Sequence, residues 1–183
     1  MLTIAVSGKH GAGKSTVAKA LADKFHLRYV SAGKIFRDLA KERSMTLADF
    51  SLIAEKDHQI DREIDDRTSR EAAKGNVVID AYIAGWVASH FADIKIYLQA
   101  SLEVRVRRMA ERDGRGYEEM LEETRAREES QQRRFREFYG IDVTDIRIFD
   151  LVLNTETWNE AATITICIEA VKAYLASSGK TRE

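Results

Sequence analysis

Apolar residues along this chain fall into two periods. Short continuous runs, most of them β-branched, occupy Leu2–Val6, Leu27–Val30, Asn76–Asp80, Ile94–Leu98 and Leu151–Leu153. Brief runs without polar alternation are the pattern of strands covered on both faces. Between them lie helical patterns at Lys14–His26, Lys34–Arg43, Thr46–Lys56 and Ile60–Lys74, a long polar stretch from Ser101 to about Tyr139, and a helix after Trp158. Strand and helix in alternation predict an α/β fold with a five-stranded, doubly wound parallel sheet flanked by helices. Ligands of such sheets sit outside the carboxyl ends of the strands, which gathers Ser31, Asp80 and Gln99 around one crevice.

Two segments exceed what simple crossovers need: a helical insertion at about 32–75 and a lid-like stretch at about 114–139, within one domain spanning 1–183. The second lies in a region, Glu103–Arg136, with ten arginines, nine carboxylates and no lysine. Most of these charges read as a solvated helix laced with i,i+4 pairs. Arg127, Gln131 and Arg134 share one helical face, and arginine suits bidentate phosphate contact. With few apolar anchors, the helix is expected to be mobile and to close on phosphate.

The turn after the first strand carries the candidate chemistry. Gly8-Lys9-His10-Gly11-Ala12-Gly13-Lys14-Ser15-Thr16 is a complete G-x-x-x-x-G-K-[ST] loop, placed after a strand and opening a helix as that motif requires. Its glycines let successive N–H groups converge on a phosphate, and the helix dipole adds to them. Lys14 is positioned to reach the β/γ-phosphates, and Ser15 offers a hydroxyl to Mg²⁺. The motif predicts binding of a nucleoside triphosphate with Mg²⁺.

A second phosphate site is expected after the second strand. Ser31 caps a helix, Gly33 allows close backbone approach, and Arg37 follows one turn later. Asp80 closes the third strand where such proteins hold Mg²⁺ or its water shell, so Ser15 and Asp80 form the candidate metal pair.

Composition narrows the classes. With 44% hydrophobic and 32% charged residues and a net charge of −1, the chain reads as a soluble globular protein with no field drawing it to nucleic acid or anionic lipid. The acids of the arginine-rich segment nearly balance its cations, which argues further against nucleic acid. No apolar run approaches a membrane span, the start reads as a strand rather than a signal peptide, and the lone Cys167 reads as a buried hydrophobe. The expectation is a cytoplasmic monomer whose partners are small nucleotides.

Beyond these features the chain resembles the nucleoside monophosphate kinases, and most closely the archaeal-type cytidylate kinases. The resemblance rests on the phosphate loop, Ser31-x-Gly33-x-x-Phe36-Arg37, Asp61-Arg62-Glu63-Ile64-Asp65, Ala84-Gly85-Trp86, Arg127-Glu128-Glu129-Ser130 and Tyr139-Gly140-Ile141-Asp142. It implies transfer of the ATP γ-phosphate to CMP or dCMP, with a monophosphate-binding insertion and an arginine-bearing lid. It also implies that Ser31 faces the base or ribose, that Arg37 meets the acceptor phosphate, and that Arg127 and Arg134 act with Lys14 in catalysis. The chain departs from the family at two acceptor-side positions: Tyr82 stands where an arginine is usual, and Gln131 where related bacterial enzymes carry an aspartate. Kinase chemistry is therefore better specified than the acceptor. Another small-molecule P-loop kinase remains the first alternative. A nucleotide-dependent switch is the second, although no guanine-reading Asn-Lys-x-Asp signature is present.

Overall fold

A computed structural model describes residues 1–179, with only the backbone described at 47, 48, 51 and 52. Five strands form one parallel sheet: β1 (Thr3–Ser7), β2 (Arg28–Ser31), β3 (Val77–Asp80), β4 (Ile94–Gln99) and β5 (Leu151–Asn154), in the spatial order β2-β3-β1-β4-β5. β1 is central and buried at every position. Its register sets Val6 beside Asp80, while Ser31 pairs with Asp80 across the next ladder. The carboxyl ends of β1, β2 and β3 thereby open on one edge. All five expected strands are present, each within a residue or so at either end.

The helices are α1 (Lys14–Lys24), α2 (Ala32–Glu42), α3 (Leu47–Ala54), α4 (His58–Ala73), α5 (Ala84–Val87), α6 (Leu102–Asp113), α7 (Tyr117–Tyr139) and α8 (Glu160–Ser178). One face of the sheet packs Ile4, Val6, Ile96 and Leu98 against Val17 and Leu21 of α1 and Cys167 and Val171 of α8. The opposite face buries Ala5, Val77 and Ile79 against Ala72, Ala84 and Ala88. α1 ends two residues before the expected His26, because His26 takes a positive φ of 46° and the Leu27 amide closes on the Ala22 carbonyl at 2.8 Å. That reversal feeds the chain into β2.

The surplus segment between β2 and β3 is α2, α3 and α4. It has an apolar nucleus of its own: Leu39, Ala40, Phe50, Ala54, Ile60 and Ile64. α7 differs from expectation. Rather than lying loosely, it buries Met120, Thr124, Glu128 and Phe135, which fall at spacings of four, four and seven on one face. Met120 packs on Val106, Met109 and Ala110 of α6, and Phe135 on Tyr82, Ile83 and Val143. The composition concealed this attachment because Glu128, one of the buried residues, is charged. α7 stops at Gly140, whose φ of +64° lets the Ile141 amide reach back to the Phe135 carbonyl at 3.1 Å.

Candidate active site

The phosphate loop runs from Gly8 to Thr16, between β1 and α1. Gly11 has φ +78°, and a Cβ there would stand 2.6 Å from the Arg105 carbonyl oxygen, so only glycine lets the loop press this closely on α6. No side chain caps α1. The first N–H groups of the helix therefore remain available to an anion. Lys14 Nζ donates to the Lys9 carbonyl at 2.9 Å, folded across the mouth of its own loop. Removal from water lowers its pKa to about 8, against the attraction of Asp80.

Ser15 Oγ and the Tyr29 hydroxyl each donate to Asp80 Oδ2 at 2.7 Å. Asp80 is 3% exposed, so the two hydroxyls fix a buried carboxylate at the sheet edge. One hydroxyl and one carboxylate beside a phosphate site is an oxygen donor set that suits Mg²⁺, which draws the rest of its shell from water and phosphate. Among the described residues no group of three His, Cys, Asp or Glu could hold a metal.

A cleft of about 530 Å³ opens over the loop and is walled by Arg108, Arg112, Arg127, Trp158 and Asn159. Arg108 is held by Thr155, through its hydroxyl at 2.9 Å and its carbonyl at 2.7 Å. Trp158 is 44% exposed at the rim. A flat ring with guanidinium planes nearby offers surfaces on which a nucleotide base can stack. Sequence reasoning missed Arg108, Arg112 and Trp158, because α6 and the turn after β5 meet only in the folded sheet.

The acceptor-side candidates lie across β1 from this wall. Ser31 accepts from the Lys34 amide at 3.4 Å, capping α2. A Cβ on Gly33 would meet Arg37 Nη1 at an ordinary contact distance of 3.6 Å. Arg37 is exposed and has no ion pair within 4 Å among the described residues. Tyr82 is placed inside the protein, 7% exposed. Its ring packs edge-on to His10 at 5.9 Å and Phe135 at 5.5 Å. Its hydroxyl is buried without a hydrogen-bond partner, and burial raises its pKa.

The three residues expected on one face of α7 reach different neighbours. Gln131 Oε1 lies 2.9 Å from His10 Nε2. Burial and then the Arg127 charge hold the His10 imidazole well below its ordinary pKa, so it is neutral at pH 7. Arg127 is exposed on the wall of the cleft over the loop and has no ion pair within 4 Å among the described residues. Arg134 turns the other way, donating to Asp61 Oδ2 at 2.5 Å and to the Ala54 carbonyl at 3.1 Å. Asp65, one turn along α4 from Asp61, has its pKa raised to about 7 by burial, against a hydrogen bond from Tyr139. Its Oδ2 has no partner. Asp61 and Asp65 entered the sequence reading only as part of a resemblance, since two acids on a polar helix carry no sign of burial.

A phosphate loop on the central strand of a parallel sheet, with a helical insertion after β2 and an arginine-bearing helix above, defines a kinase of the P-loop fold. Solved structures share that fold. Shikimate kinase from Bacteroides thetaiotaomicron superposes with a TM-score of 0.61 at 15% identity, covering 96% of this chain and 98% of its own. A protein from Eubacterium ventriosum superposes with a TM-score of 0.70 at 16% identity, covering 94% and 99%. Residues 3–157 match the cytidylate kinase-like family. The chain is 47% identical to the cytidylate kinase of Staphylothermus marinus over 175 residues and 50% identical to that of Ignicoccus hospitalis over the same length, in each case spanning 96% of this chain and 99% of the relative. The chain belongs to the cytidylate kinase-like family.

Proposed function

We propose that this protein is an ATP-dependent kinase that transfers the γ-phosphate to CMP or dCMP, giving the diphosphate. Family membership supports the class of reaction. The observation that carries the mechanism is the Arg127 guanidinium, which stands on the wall of the cleft above the phosphate loop with no carboxylate within 4 Å among the described residues, and so open to a phosphate.

The loop amides and Lys14 bind the β- and γ-phosphates of the donor; Lys14 exchanges the Lys9 carbonyl for phosphate oxygen. Arg127 meets the charge that spreads over the transferring group, and Arg37 holds the acceptor phosphate on the far side of β1. Ser15 and Asp80 would hold Mg²⁺, which would supply charge neutralisation for the phosphates. An acceptor phosphate is already ionised at pH 7, so the reaction needs orientation and electrostatics rather than a general base. α7 roofs the loop and limits access of water, which would otherwise hydrolyse ATP.

A coupled ADP-release assay with ATP and CMP, dCMP, UMP or AMP tests this reading. CMP and dCMP should be the preferred acceptors. Transfer to none of the four overturns it.

A further inference from the structure

Glu128 follows Arg127 on α7 but points into the protein, where it is 8% exposed. Its Oε1 accepts from Arg105 Nη1 and its Oε2 from Arg105 Nη2 at 3.2 Å, and Lys9 Nζ stands 3.3 Å from Oε2. Arg105, on α6, is 2% exposed. Its Nε donates to the Ala100 carbonyl at 3.0 Å and its Nη1 also to the His10 carbonyl at 2.9 Å. One guanidinium thus joins the segment after β4, the phosphate loop and α7. The contacts on either side run the same way: Gly11 presses on the Arg105 backbone, and Gln131, three residues beyond Glu128, meets His10.

Arg127 has no such fixation. With no ion pair of its own, its place over the loop is set by where α7 sits, and the nearest rigid point on α7 is the adjacent residue. A buried bidentate pair adds little net stability, but its fixed fork geometry can define one arrangement of the elements it joins.

We propose that Glu128 and Arg105 are positioning residues for phosphoryl transfer: their buried pair locks α7 against the phosphate loop and so holds Arg127 over the transferring phosphate. The proposal rests on the role given above to Arg127. The pair touches no substrate. Its loss moves a cation away from the transition state while the loop amides still bind ATP. That separates kcat from KM.

Steady-state kinetics with ATP and CMP test this. Glu128→Gln should lower kcat on the order of 10- to 100-fold, as a small misplacement of a catalytic group does, with the KM for ATP changed by no more than about twofold. In an Arg127→Ala background the same substitution should change kcat by less than about twofold, because the residue it positions is gone. Glu128→Gln leaves a buried cation unpaired, so the double variant Arg105→Met/Glu128→Leu removes both charges; it gives up the Arg105 bonds to the Ala100 and His10 carbonyls and should stay folded with a lowered melting temperature, while still losing kcat. Full kcat in that folded double variant overturns the proposal, as does an undiminished effect of Glu128→Gln in the Arg127→Ala background. Wild-type kcat in Arg127→Ala alone overturns the role of Arg127 itself, and absence of CMP turnover in the wild type overturns the proposed reaction; the two failures are distinguishable.

Discussion

Arg134 Nη1 and Asp61 Oδ2 meet at 2.5 Å, and through this pair α7 is pinned to the insertion. Both side chains are largely buried there, at 12% and 15% exposure. Burial raises the pKa of Asp61 while the guanidinium opposes the shift. The arginine expected to meet phosphate therefore rests on a carboxylate, an anion that phosphate can replace.

Asp61→Ala should destabilise the protein by about 1–3 kcal/mol, since it strands the Arg134 guanidinium. Saturating CMP with a non-hydrolysable ATP analogue should recover more of that loss in Asp61→Ala than in Arg134→Ala, because only the former keeps the cation that phosphate can satisfy. Thermal denaturation with and without ligands reads the difference. Equal recovery in both variants would place Arg134 away from the substrates.

Lys14 should announce ATP binding by taking up a proton. Its pKa of about 8 in the free protein must rise when phosphate surrounds it. Near pH 8.5 binding should absorb on the order of half to one proton, and affinity should fall as pH climbs past 8. Titration calorimetry in two buffers of different ionisation enthalpy measures the uptake. Lys14→Ala should abolish it and reduce turnover at least about 100-fold.

Arg37→Ala should raise the KM for the acceptor about tenfold or more and leave the KM for ATP nearly unchanged. Arg37 lies one turn into α2, across β1 from the cleft wall, and has no ion pair to lose, so the fold should not suffer. A raised KM for ATP with an unchanged acceptor KM would exchange the two sides.

Asp65 should make stability depend on pH. Its carboxyl is held near pKa 7 by burial, with Asp61 and Asp66 raising it and Tyr139 and Arg134 lowering it. Unfolded, it returns towards the ordinary carboxylate value of 3.8. Between these values the native state holds the extra proton, so stability falls as pH rises from about 4 to about 7 and then levels off. Asp65→Asn keeps the shape and removes the titration. Its melting temperature, relative to wild type, should rise between pH 5 and pH 8.

The sheet was legible because its strands are covered on both faces: Ile4, Val78 and Ile96 can only be core, and a run of such residues has one reading. The phosphate loop was legible because phosphate binding constrains backbone, and Gly8, Gly11 and Gly13 record that constraint in the sequence. The attachment of α7 was not. Glu128 and Arg105 look like any other members of a charged helix until the fold buries them together, and no local pattern marks which charge turns inward. The same holds for Arg134, whose helical phase matches that of Gln131 but whose neighbour, Asp61, is 73 residues away. Trp158 escaped for a related reason: it faces the cleft from a turn with no periodicity to read.

The insertion, where we place the acceptor, has a nucleus whose stability is partly distinct from that of the sheet. Leu39, Phe50, Ile60 and Ile64 bury one another, while Ala72 at the far end of α4 packs on β3, so the amides around this nucleus should exchange with solvent together, at a lower free energy than those of β1. Breathing of that nucleus would release a spent acceptor while the phosphate loop keeps its shape. It also divides the mutational landscape. Substitutions around that nucleus lie away from β1 and the phosphate loop, so the proposed acceptor side can change while the loop stays fixed; the end of α4 that covers β3 through Ala72 has no such freedom.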